Sequence, residues 1–113
     1  MAEHEHALRK LALNDEKVVA STLAQSNPEI GDCCQDPQTL ALVRLAALIA
    51  SAGTPGSYQS VVDGALAAGA VGEDLVGVLI AVAPTIGSAR LVAAAPLLAR
   101  ALGYDVDAAF DRG

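Results

Sequence analysis

Asp36-Pro37-Gln38-Thr39-Leu40-Ala41-Leu42-Val43-Arg44-Leu45-Ala46-Ala47-Leu48-Ile49-Ala50 is the stretch on which the reading of this chain turns. Asp36 is a helix N-cap residue, and Pro37 suits the first helical position, where the N–H it lacks has no intrahelical partner anyway. Ala and Leu dominate the rest of the segment, with no sustained period-two alternation, which favours helix over strand. Apolar side chains fall on nearly every face, so this segment is expected to be the central, most buried helix, continuing to Ala52 with Gly53 as its stop.

Working outward, the same grammar recurs. Towards the N-terminus, a helix is expected from about Glu3 to Leu13, then Asn14-Asp15 as a cap for a second from Glu16 to Gln25. Ser26-Asn27-Pro28 ends that helix, because proline disfavours helical backbone in the residue before it. Glu29 to Asp36 is a polar connector. Towards the C-terminus, a helix from Pro55 or Ser57 to Ala68 stops at Gly69. The next starts near Gly72, with Glu73 and Asp74 at its positive end, and is expected to kink or break at Pro84. The last long helix runs from Ser88 to Leu102, bent by Pro96 and closed by Gly103, and Asp105 caps a short turn through Phe110. The expectation is an all-α, compact helical domain of about six helices.

Composition narrows the function classes. The chain has 113 residues, 53% of them apolar and 18% charged, and a net charge of −6. One domain with a single core is expected, and the acidic balance argues against nucleic acid as a partner. The apolar stretch most suggestive of a membrane, Leu75 to Ala89, is 15 residues, and the uncharged run from Leu45 to Val62 is broken by Ser51-Ala52-Gly53-Thr54-Pro55-Gly56-Ser57. A membrane span needs ~20, so no membrane association is expected. The polar N-terminus lacks a basic-then-apolar signal, which makes the expected location cytoplasmic.

Charge is unevenly spread. Ten of the 20 charged residues lie in the first 36 positions, whereas the 68 residues from Pro37 to Tyr104 hold only six. A unit of ~60 residues buries only about 60% of the surface its unfolded chain exposes, so apolar surface is left over for a partner. A second copy of the chain is the simplest one.

The Asp36–Ala50 segment also resembles the opening helix of the carboxymuconolactone decarboxylase family. The resemblance extends through Gly64-Ala65-Leu66-Ala67-Ala68-Gly69-Ala70, Glu73-Asp74-Leu75-Val76-Gly77-Val78-Leu79 and Ala83 to Gly87, covering about Asp36 to Leu102. It implies an alkylhydroperoxidase D-like helical fold, assembly into trimers or hexamers, and either lactone decarboxylation or Cys-x-x-Cys peroxide reduction. It also divides the chain into polar N-terminal helices and connector (1–35), a family-like core (36–104) and a C-terminal turn (105–113).

The chain departs from the family at the chemical positions. The family's Lys, Arg and Glu are replaced by Gln38, Leu40 and Ala41, its cysteine pair by Ala50-Ser51-Ala52-Gly53-Thr54, its His by Val61 and its Thr by Val71. Acid–base catalysis needs a group that exchanges protons near the working pH, and peroxide reduction needs a thiolate. Leu, Ala and Val supply neither.

The remaining candidates are few. Cys33 and Cys34 are adjacent and flanked by Asp32 and Asp36, whose negative charge disfavours a thiolate; they read as redox centre or as ordinary thiols. His4-Glu5-His6 with Glu3 sit at a terminus, short of the rigid three-ligand support a catalytic metal needs, so no metal or other cofactor is expected. Arg44 and Asp63 are lone charges on apolar helices. They read either as an ion pair, or as a pocket in which Arg44 grips a carboxylate with Tyr58 and Asp63 nearby. Arg90 and Arg100 read as solvated or interface arginines. The expectation is a homo-oligomeric structural or small-ligand-binding protein for an apolar or carboxylate ligand, without the family's catalysis. The alternative is a divergent decarboxylase or a peroxiredoxin-type antioxidant enzyme.

Overall fold

A computed structural model describes residues 2–24 and 36–104, with Glu3 as backbone only. The described residues form six α-helices and no strand, as the Ala- and Leu-rich sequence predicts. The chain divides into two compact units, Met1–Gln35 and Asp36–Gly113. In the first, α1 (Glu3–Ala12) and α2 (Glu16–Leu23) pack together, and Ala7 and Val18 are buried. Asp15 caps α2, accepting the Lys17 and Val18 N–H groups at 3.1 and 3.2 Å.

The second unit contains α3 (Pro37–Ala50), α4 (Pro55–Ala67), α5 (Gly72–Ile86) and α6 (Ser88–Ala101). α3 packs against all three others, which makes it central as expected. It is not buried all round, however: Leu45 and Ile49 are fully buried while Val43 is 54% exposed. Each helix contributes one stripe to the core at helical spacing, Leu45 and Ile49, then Tyr58, Val62 and Ala65, then Leu75 and Leu79, then Ala94 and Leu98.

The helix starts follow their local chemistry. Asp36 accepts the Thr39 N–H at 3.0 Å and its hydroxyl at 2.9 Å, and these bonds, the backbone one foremost, hold its carboxyl below the usual range. Thr54 does the same for the Ser57 N–H at 3.2 Å. At α5, Asp74 accepts the Val71 N–H at 2.9 Å, half a capping box that valine cannot reciprocate.

Four helices end in one motif, in which a left-handed residue turns the chain so that the next N–H bonds back to the last turn. The left-handed residues are Asn14, Ala52, Gly69 and Gly103, and the returning bonds are Asp15 to Lys10, Gly53 to Leu48, Ala70 to Ala65, and Tyr104 to Ala99. At the end of α3 the stop is therefore Ala52, at φ 59°, and not Gly53. The sequence reading misassigns it because glycine is the usual occupant of that conformation.

Both internal prolines lie inside helices, as expected for Pro96 and without the break allowed for at Pro84. α5 continues through Pro84 to Ile86, so it is not broken there, and α6 includes Pro96. A mid-helix proline leaves the carbonyl four residues earlier without its donor. Those carbonyls belong to Ile80 and Val92, residues that are 66% and 70% exposed, so water is at hand to solvate them. The second helix's end beyond Ala24, the connector and the turn through Phe110 lie outside the described residues.

Candidate functional site

A cleft of about 430 Å³ opens where the end of α3, the start of α4, the end of α5 and the first half of α6 meet. Its walls are apolar: Ile49, Ile86, Ala94 and Leu97. Among the described residues, two polar side chains line it, Tyr58 and Arg90. Small-molecule sites usually run to ~300–1,000 Å³ with mostly apolar walls and a few polar groups, and this cleft has that character.

Local sequence explains why each group is where it is. Thr54 caps α4, and Tyr58 lies one turn in, at the head of the stripe that continues through Val62 and Ala65 into the core. Arg90 sits in the first turn of α6, directly after the Gly87 joint, with Ala94 and Leu98 anchoring the same helix in the core. Ala52, held in a left-handed conformation uncommon for alanine, lines the cleft as well. Strained backbone of this kind is concentrated at binding sites in proteins generally.

Tyr58 is 1% exposed, and among the described residues no group hydrogen-bonds its hydroxyl. A buried hydroxyl left unpaired costs about 1–3 kcal/mol, so native structures rarely leave one. Burial raises the Tyr58 phenol above its ordinary value, and the nearby positive charge of Arg90 opposes the rise. A proton held more tightly in the folded chain has a defined consequence. Below the ordinary phenol value of about 10 both states are neutral and stability is unaffected. Above it the unfolded chain ionises first, so stability falls as pH rises through the window up to the raised value. Urea midpoints at about pH 8 and about pH 11 are expected to show a smaller alkaline loss in Tyr58→Phe than in the parent chain. An equal loss in both refutes the assignment.

The other candidates from sequence are dispersed. Arg44 lines a second cleft of about 380 Å³ between α3 and α4, with Leu40, Val61 and Gly64, so it does not share a pocket with Tyr58. Asp63 is exposed and accepts the Gln59 amide at 2.9 Å; that amide also donates to the Ala101 carbonyl at 3.3 Å, tying α4 to the end of α6. Cys33 and Cys34 lie outside the described residues. His4 and His6 are exposed on α1, and among the described residues no three His, Cys, Asp or Glu side chains converge to hold a metal ion. Nor is any described helix long and apolar enough to cross a membrane.

The site residue that sequence reasoning missed is Arg90. Its one visible signal is its position, three residues past Gly87, at the start of a helix that carries no acidic residue in its first turn. Compared with protein-family models, curated proteins and solved structures, the chain matches none of them.

Proposed function

We propose that this chain is a helical small-molecule-binding module that self-associates, with its ligand in the cleft between α3, α4 and α6. The observation that carries the reading is the Tyr58 hydroxyl, buried at the cleft without a partner among the described residues. An occupant able to hydrogen-bond it removes the penalty of the unpaired group.

Catalysis is not part of the proposal. Among the described residues the cleft lining contains no His, Cys, Asp or Glu to move a proton or attack a substrate near neutral pH. The resemblance of Asp36–Leu102 to the carboxymuconolactone decarboxylase family, and the fold it implies, are kept as a proposal about ancestry. What supports it is the order of capped helices and stops. Self-association is supported by the outer face of α5, where Gly77, Ile80, Ala81 and Pro84 form an exposed stripe free of charge.

One experiment reads both parts. Sedimentation velocity with the neutral dye Nile red is expected to show dye travelling with a species heavier than the 11.4 kDa monomer. Ala93→Trp, which fills the cleft, is expected to abolish dye binding while leaving the sedimenting mass unchanged. Undiminished dye on the tryptophan variant contradicts the ligand site. An 11.4 kDa particle at micromolar concentration contradicts assembly.

A further inference from the structure

We infer that the cleft takes an amphipathic monoanion, a carboxylate with an apolar tail, whose head group is held by Arg90, Tyr58 and the N-terminus of α6. The inference rests on the cleft being a ligand site and adds the chemistry of what enters it.

Three features converge on one negative charge. Arg90 is half-buried, lines the cleft, and has no ion-pair partner among the described residues. Its guanidinium acts electrostatically on the buried Tyr58 phenol, so the two groups belong to one neighbourhood. The phenol is a donor with no acceptor among the described residues. A carboxylate oxygen accepts from a phenol and from a guanidinium fork together.

The third feature is the helix that carries Arg90. α6 is 14 residues long, begins at Ser88 after Gly87, has no side chain capping it and has no acidic residue in its first turn. Its leading N–H groups and the positive end of its dipole therefore await an anion, and Ala89 and Arg90 of that turn line the cleft. At the carbonyl end of α3, the Ala47 and Leu48 carbonyls accept from Ser51 and Gly53.

The number of charges selects the class. Among the described residues a single cation lines the cleft, and the whole chain carries −6, so a second negative charge on the ligand meets repulsion without a partner. A wholly neutral ligand leaves the half-buried Arg90 without a counter-charge. The remaining walls (Ile49, Ile86, Ala94 and Leu97) are apolar and accept an alkyl or aryl tail.

The test is displacement of Nile red from the full chain by decanoate, decanol and decyl phosphate. Decanoate is expected to bind more tightly than either of the others. Arg90→Gln is expected to weaken decanoate by roughly ten- to a hundredfold, and Tyr58→Phe by about tenfold, with decanol unmoved by Arg90→Gln. Arg90→Lys restores part of the loss, because it returns the charge without the fork. Thermal melts confirm that each variant is folded. Equal binding of decanoate and decanol, with Arg90→Gln inert on both, overturns the anion assignment and leaves the ligand site standing. Failure of all three probes, together with failure of Nile red to bind, overturns both.

Discussion

Leu45→Ala lowers the melting midpoint by roughly 10–30 °C, the largest effect expected from any single truncation in the second unit. Leu45 is 0% exposed and stands on α3, the helix that touches α4, α5 and α6 at once. Truncation removes three carbons from the centre of that packing, and neighbours on three helices cannot all move inward to refill it. Buried Leu→Ala changes cost about 2–5 kcal/mol, the spread reflecting how far the site collapses. Small domains are stable by only ~5–15 kcal/mol, so the variant keeps a narrow margin. Val43→Ala, two residues away and 54% exposed, is the control and should shift stability by no more than about 0.5 kcal/mol. Chemical denaturation of both variants checks the contrast. Similar losses at the two positions contradict an α3 that turns Leu45 inward and Val43 outward.

Gly87→Ala is the second large effect, and it operates through the backbone. Gly87 joins α5 to α6 at φ 86° and ψ 166°, a conformation that is essentially restricted to glycine. A Cβ there meets no neighbouring atom, so the penalty comes from local strain alone, about 1–3 kcal/mol. The same substitution at Gly77, in the exposed middle of α5, also meets open space but at ordinary helical backbone. There alanine should stabilise by about 0.5–1 kcal/mol, because glycine forfeits more chain freedom on folding. Opposite signs for one chemical change on either side of a ten-residue span of chain make the pair a sharp test. A neutral Gly87→Ala refutes the joint, which also sets the start of α6 and hence the position of Arg90.

Much of the helical layout could be read from residues close together in sequence. Asp36 and Thr54 cap the helices that begin after them, Asp74 closes the start of α5, and Gly69 and Gly103 take the left-handed turn after α4 and α6. All of these are events within one turn of helix, decided by side chains a few positions apart. The stop misassigned at Ala52 and the break allowed for at Pro84 have the opposite origin. Ala52 accepts a mildly unfavourable conformation because the helices flanking it are fixed by packing elsewhere. The prolines stay inside their helices because the carbonyls they orphan belong to water-exposed residues, and exposure is a property of the assembled unit.

The site divides in the same way. From the sequence Tyr58 is a pocket candidate only beside Arg44 and Asp63. Which arginine it meets was not visible. Arg44 and Arg90 stand 14 and 32 positions away, and nothing in spacing or propensity ranks the two. Packing ranks them: α3 turns Arg44 toward a different cleft, while the Gly87 joint brings the first turn of α6 to the phenol. Local hydrogen bonding and apolar spacing were thus enough to specify helices, caps and buried stripes, since each acts over a few residues. The meeting of the Tyr58 phenol with Arg90 depends on how four rods settle against one another, and that information resides in side-chain volumes summed over the whole core.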